Sequence, residues 1–260
     1  MSGPFITFLS DYGLEDDFVG VCHCVIAGIC PEATVIDLTH GISRGDVRAG
    51  ALILSGALRY LPRGVHLAVV DPGVGSDRRG VALRLADGRF LVGPDNGLLS
   101  LAAGAGGGVV EAVDIGASPC ALQPVSATFH GRDIFAPVAA RLAAGASLAD
   151  AGAPVDPGAL VALELSHAHA VDGVLVAHVV YVDRFGNVEL DVEEPAFEAG
   201  SAFEIAGERV RYLRTFADAG AGELFLYEDS SRRLAVAVNQ GDAAARLGLG
   251  VDDELRIRLP

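Results

Sequence analysis

The chain contains no lysine; all 19 of its cationic side chains are arginine. This excludes a Schiff-base lysine, a P-loop lysine and a lysine general base. No apolar run reaches the eighteen or so residues that a membrane-spanning helix needs. The opening Met1-Ser2-Gly3-Pro4 lacks a basic n-region and runs straight into Phe5-Ile6-Thr7-Phe8-Leu9, which reads as a first core strand and not as a signal peptide. Cysteine is scarce, at positions 22, 24, 30 and 120. Cys22-His23-Cys24 falls in a helical run, where residues two apart do not share a face. No metal-ligand spacing appears there or around His40 and His130, so the expectation is buried thiols, a reducing cytoplasm and no metal. No G-x-S-x-G elbow supports a serine hydrolase. The formal net charge is −15, and the acids are spread along the chain. Such a surface repels nucleic acid and anionic membranes, so neither is an expected partner.

What is present is a globular chain of 260 residues, 51% hydrophobic and 20% charged. Apolar runs at 5–9, 34–38 and 65–70 alternate with helical patterns at 15–29 and 46–61. That order predicts an α/β domain with a central, mainly parallel sheet covered by helices. Strands at 80–85 and 89–92 flank an Asp87-Gly88 turn and read as a hairpin. A short helix at 98–103, a strand at 109–115 and a helix at 134–142 follow. Residues 144–158 are rich in Ala, Gly, Asp and Pro, and the domain boundary is placed there. The expected division is an α/β domain over 1–150 and a smaller all-β barrel over 160–260, in which seven period-two runs are separated by Gly and Asp turns.

Acids stand at the ends of the first-domain strands: Asp11, Asp37 and Asp71. After Val65–Val70 come Asp71, Pro72, the glycines of Gly73-Val74-Gly75, and Arg78 and Arg79. Pro72 cannot donate to a ladder and ends the strand. An acid at the carboxyl end of a buried strand, followed by a glycine turn and cations, is how open α/β sheets build sites. The same residues in isolation also read as a polar turn with a surface ion pair. Gly73-Val74-Gly75 lacks the third glycine and the following helix of a dinucleotide fingerprint. His130, before Gly131-Arg132-Asp133, can serve as a general base, a donor or a helix-cap residue.

Five segments together carry a resemblance: Phe8-Leu9-Ser10-Asp11-Tyr12-Gly13, Val70-Asp71-Pro72-Gly73-Val74-Gly75, Gly93-Pro94-Asp95-Asn96-Gly97, Phe129-His130-Gly131-Arg132-Asp133 and Asp183-Arg184-Phe185-Gly186-Asn187. In this order they resemble the S-adenosylmethionine (SAM) hydroxide adenosyltransferases, adenosine-forming SAM hydrolases related to the fluorinases and chlorinases. The resemblance implies an α/β domain followed by a β-barrel. It also implies a homotrimer whose sites lie between one subunit's N-terminal domain and a neighbour's C-terminal domain, with SAM as substrate and no cofactor. Carried over position by position, Asp71, Arg78 and His130 match the hydrolytic set. Asp11 matches the acid on the ribose hydroxyls, and Asp16 an acid near the methionine ammonium. Asp183 and Ser230, with Ser231 beside it, match further methionine contacts. Phe185 and Asn187 match residues at the adenine, which the Val238-Asn239-Gln240 backbone borders. Asp229-Ser230-Ser231-Arg232 departs from the Asn-Ser-x-Gly expected there.

The implied chemistry is simple. A sulfonium makes methionine a neutral leaving group, so what is needed is a water held in line with the ribose C5′. Asp71 would orient that water and accept its proton, Arg78 would stabilise developing hydroxide, and His130 would hydrogen-bond the same water. A carboxylate at the nucleophile position repels halide, and Leu85 leads promptly into the Asp87-Gly88 turn without the additional loop of the halogenases. Both favour hydrolysis over the alternatives of a halogenase-like transferase or a non-catalytic SAM- or adenosine-binding protein.

Overall fold

The computed structural model describes residues 3–260, so the reading of Met1 and Ser2 lies outside the described residues. The chain forms two compact units that divide after Leu163.

The first unit begins with strand β1 (Phe5–Ser10), helix α1 (Phe18–Ile29), strand β2 (Thr34–Thr39), helix α2 (Val47–Leu58) and strand β3 (Val65–Val69). Strands β4 (Gly80–Leu85) and β5 (Phe90–Pro94), helix α3 (Ser100–Ala105) and strand β6 (Val109–Asp114) follow. A π-turn over Gly131–Phe135 runs into α4 (Ala136–Ala143), and the unit closes with α5 (Leu148–Ala151) and β7 (Ala153–Pro154). Asp46 caps α2 by accepting from Ala49 N at 2.9 Å. Pro137 is in the first turn of α4, directly after the π-turn, whose Ala136 N–H bonds to Gly131 O.

The sheet order is β2-β1-β3-β5-β4-β6-β7. Only β1–β2, β1–β3 and β3–β5 pair parallel; β4–β5, β4–β6 and β6–β7 pair antiparallel. The expectation of a mainly parallel sheet is therefore corrected to a mixed one. The physical reason lies in the connection at Asp87-Gly88: it is too short to cross over, so β4 must run against β5. Helix α1 packs with α4, and α2 with α3. Ile6, Phe8, Val65, Leu67 and Val69 share one apolar cluster with Cys22 and Ile26 of α1 and Val138 of α4. Of the four cysteines, Cys22 and Cys30 are buried, but Cys24 is exposed and Cys120 only half-buried, which corrects the expectation of buried thiols. Cys22 and Cys24 point to opposite sides of α1, as a two-residue spacing requires.

The second unit begins with β8 (His169–Val171), β9 (Val174–Val182), β10 (Val188–Glu193), β11 (Ala202–Ile205) and β12 (Glu208–Tyr212). It continues with β13 (Leu224–Glu228), β14 (Arg233–Val238), α6 (Ala243–Leu247) and β15 (Glu254–Arg258). The ring β10-β14-β13-β12-β11-β15-β9 closes through the β9–β10 pairing, and β8 is appended to β9. It is a closed seven-stranded barrel. Alternate residues fill it, among them Val188, Leu190, Phe203, Ile205, Leu224, Leu226, Leu234 and Val236.

Candidate active site

Chain order and sheet order together fix where the first unit can bind a ligand. From β1 the chain crosses to β2 on one side, then to β3 on the other. The crevice between the carboxyl ends of β1 and β3 is thus a topological switch point. Ser10 pairs with Val69 there, so Asp11 and Asp71 leave the sheet from neighbouring strands. A cavity of about 330 Å³ opens at this point, lined by Asp11, Tyr12, Asp16, Phe18, Arg44, Asp71, Val74, Thr128, Phe129, His130 and Gly131.

Arg78 grips Asp71 with a two-pronged contact: Nε donates to Oδ1 at 2.8 Å and Nη2 to Oδ2. The two side chains are only 12% and 6% exposed. Nη2 also lies 3.0 Å from His130 Nδ1. A guanidinium only donates, so Nδ1 must be the acceptor and the ring proton sits on Nε2. Burial, and then the Arg78 cation, hold the His130 pKa below its ordinary value, which keeps the ring neutral. The Arg78 Cζ stands 5.1 Å from the centre of the Phe135 ring, within cation–π range. Asp11 Oδ2 accepts from Gly45 N at 2.8 Å, and Asp11 lines the cavity. Asp16 is exposed at the rim.

Aromatic rings form one wall. Tyr12 lies edge-on to Phe129 at 5.7 Å, and Phe18 edge-on to Phe129 at 5.2 Å. A Cβ at Gly131 would stand 2.0 Å from Tyr12 Oη, so only glycine lets the tyrosine ring lie against the π-turn. Tyr12, Val74 and Phe129 sit inside motifs that the sequence displays; Arg44 carries no local signal and enters the wall only through tertiary packing.

The second unit has an open cavity of about 620 Å³ lined by Asp183, Phe185, Asn187, Phe216, Val238, Gln240 and Gly241. Phe185 is 68% exposed. Asp183 Oδ1 accepts from the Phe185 and Asn187 backbone amides, and Oδ2 from Asn187 Nδ2. Its carboxylate shapes the 183–187 loop and orients Asn187. Gly186 has a φ of +78°, and a Cβ there would collide with Asp242. Asn239 does not line this cavity: its Nδ2 donates to Ala219 O, and its backbone is bonded to Glu223 and Gly222. Ser230 and Ser231 also lie outside it, on a turn that Asp229 closes by accepting from the Ser231 and Arg233 amides.

Strand-end carboxylates and a neutral histidine over a cavity of this size define a small-molecule site of the α/β class, in a protein that pairs an α/β unit with a β-barrel. Residues 6–152 match the SAM hydroxide adenosyltransferase N-terminal domain, and residues 177–256 the SAM hydroxide adenosyltransferase C-terminal domain. The chain belongs to the SAM hydroxide adenosyltransferase family. It is 50% identical to a protein of Salinispora tropica named (R)-S-adenosyl-L-methionine hydrolase, over 98% of this chain and 97% of that one. A protein named fluorinase from Nocardia brasiliensis is more distant, at 28% identity over 98% and 97% of the two chains. The crystal structure of an uncharacterized conserved protein from Thermotoga maritima superposes with a TM-score of 0.88 at 33% identity, covering 97% of this chain and 99% of that one.

Proposed function

We propose that this protein hydrolyses SAM to adenosine and L-methionine by in-line attack of water on the ribose C5′. The observation that carries this reading is the Asp71–Arg78–His130 set on the same cavity as Asp11, in a chain half identical to a relative named for that hydrolysis. Asp11 takes the ribose hydroxyls. The attacking water lies between His130 Nε2–H, which donates to it, and Asp71, which accepts from it. The water oxygen bonds to C5′ as the C5′–S bond breaks. The electron pair goes to sulfur, which leaves as the neutral thioether of methionine, and the released proton passes to Asp71 and then to solvent. Arg78 holds the carboxylate and the imidazole in register and offsets the charge that develops on oxygen. The rate then comes chiefly from orientation and electrostatic preorganisation, since the leaving group needs no acid.

Asp16 and the Asp183 loop serve the methionine end, and Phe185 with Asn187 the adenine. In that reading the protein is a homotrimer in which a neighbour's barrel completes each site, and no cofactor takes part. Relatives named for hydrolysis are closer than those named fluorinase, which favours water over halide as nucleophile. Incubation with SAM followed by chromatography tests the proposal: adenosine and methionine in equal amounts are expected, unchanged by added fluoride or chloride. A 5′-halo-adenosine, or binding without turnover, would refute it.

A further inference from the structure

The carboxyl end of β1 also meets the end of β2, on the side away from β3. There His23 of α1, Asp37 of β2 and His40 just past β2 bring one ligand atom each within 4.8 Å of one another. It is the one such group among the described residues. His23 Nε2 stands 2.8 Å and His40 Nε2 3.0 Å from the same oxygen, Asp37 Oδ1.

His40 is the informative member. It is 4% exposed, and its Nε2 is buried without a hydrogen bond; the approach to Asp37 is close but poorly aligned. Its other nitrogen, Nδ1, is held 2.7 Å from Ser10 Oγ, a fully buried hydroxyl that also accepts from Tyr12 N. The ring is therefore fixed from behind, while its free nitrogen faces a carboxylate and a second imidazole. Buried polar atoms in native folds are nearly always partnered, so an orphan in this position calls for one. A histidine clamped through one nitrogen and open at the other is the arrangement that second-shell contacts give a metal ligand.

We propose that His23, Asp37 and His40 form a binding site for a transition-metal dication, zinc in the first instance, separate from the Asp71 cavity. Two imidazoles and one carboxylate suit zinc, nickel or cobalt better than magnesium or calcium, which prefer all-oxygen shells. Ligands at roughly 2.0–2.2 Å in a tetrahedron stand about 3.3 Å apart, so the 2.8 and 3.0 Å separations open by only a few tenths of an ångström on binding. His23 and Asp37 are 35% and 40% exposed, which gives the ion a path in and leaves its fourth position to water. A bound ion would tie α1 and β2 to Ser10, one residue before Asp11 and two before Tyr12.

The test uses the untagged full chain, stripped with chelator and dialysed against micromolar free zinc. Metal content and thermal unfolding are then measured. One zinc per chain is expected, with a rise in unfolding temperature that saturates at one equivalent. His23→Ala and Asp37→Asn should weaken binding by more than the roughly 100-fold a second-shell change can cost. Asp71→Asn should leave zinc uptake unchanged. Circular dichroism verifies that the variants fold, and His23→Gln replaces His23→Ala should that variant not fold. No retained zinc overturns the proposal. So does equal uptake by the wild type and both ligand variants, which would place the ion elsewhere.

Discussion

Breaking the Asp71–Arg78 pair should separate stability from activity. The two side chains are almost wholly enclosed, and the guanidinium lies over Phe135 with His130 as its further contact. Asp71→Asn keeps the shape and removes the charge, leaving a buried cation without a counter-ion. Stranding one member of a buried pair costs about 3–5 kcal/mol. Arg78 retains some solvent contact, so the lower end applies. For a unit of this size each kcal/mol moves the midpoint by about 2–4 °C, so Asp71→Asn should unfold roughly 6–12 °C below wild type. Replacing both residues, as Asp71→Asn with Arg78→Gln, removes both charges and should return most of that loss, because neither is left unpaired. Adenosine formation should fall by at least about 100-fold in the single variant and stay as low in the double variant. Thermal unfolding by circular dichroism and chromatography of adenosine read the two quantities on the same samples. A single variant as stable as wild type, or a double variant with wild-type turnover, would refute the reasoning.

Three further outcomes follow from other residues. His66 is fully buried and its pKa is pushed down to about 4 from 6.5, by burial first and then by Arg89. As pH falls below 6.5 the unfolded chain takes a proton that the native ring refuses, so stability drops until the native ring also protonates near pH 4. That is a loss of about 3 kcal/mol, absent in His66→Gln; parallel urea-unfolding curves for the two proteins between pH 7.5 and 4 would contradict it. His130 should titrate below its ordinary value in an NMR pH series, and Arg78→Gln should move it upward by removing the cation; a downward move would reverse the sign of the electrostatics given above. Gly131→Ala drives a methyl group to 2.0 Å from Tyr12 Oη, in a ring packed by Phe8, Phe18 and Phe129. It should cost about 1–3 kcal/mol in stability and raise KM for SAM, and a neutral effect on both would show that the tyrosine does not form the wall.

Much of the fold follows from local pattern. Continuous apolar runs mark β1 and β3 because both strands are covered on two faces. Seven period-two runs mark the seven strands that close the barrel. Asp46 before an amphipathic run marks the start of α2. Short pieces were not legible: β7 has two residues and β8 three, too few for any period. The sequence pattern starts the helix at 134, so residues 131–133 of the π-turn at Gly131–Phe135 escape it, since one widened turn leaves no periodic trace. Of the residues that meet at the β1–β3 cavity, Asp11, Asp71, Arg78 and His130 could be named from the sequence. That Asp183 spends its carboxylate on its own loop, and that Asn239 turns to Ala219, could not.

The sequence by itself determined the elements, the strand-end acids and the family likeness, because periodicity, turn chemistry and motif order are properties of neighbours along the chain. Tertiary structure alone decided that β1 lies between β2 and β3. That one choice puts Asp11 beside Asp71 on one flank and Ser10 beside His40 on the other. It also decided which tautomer His130 adopts, and that His23 and Asp37, fourteen positions apart, share a contact. Which strand ends become neighbours is set by how the whole sheet buries its two faces, a long-range balance that no local run of residues records.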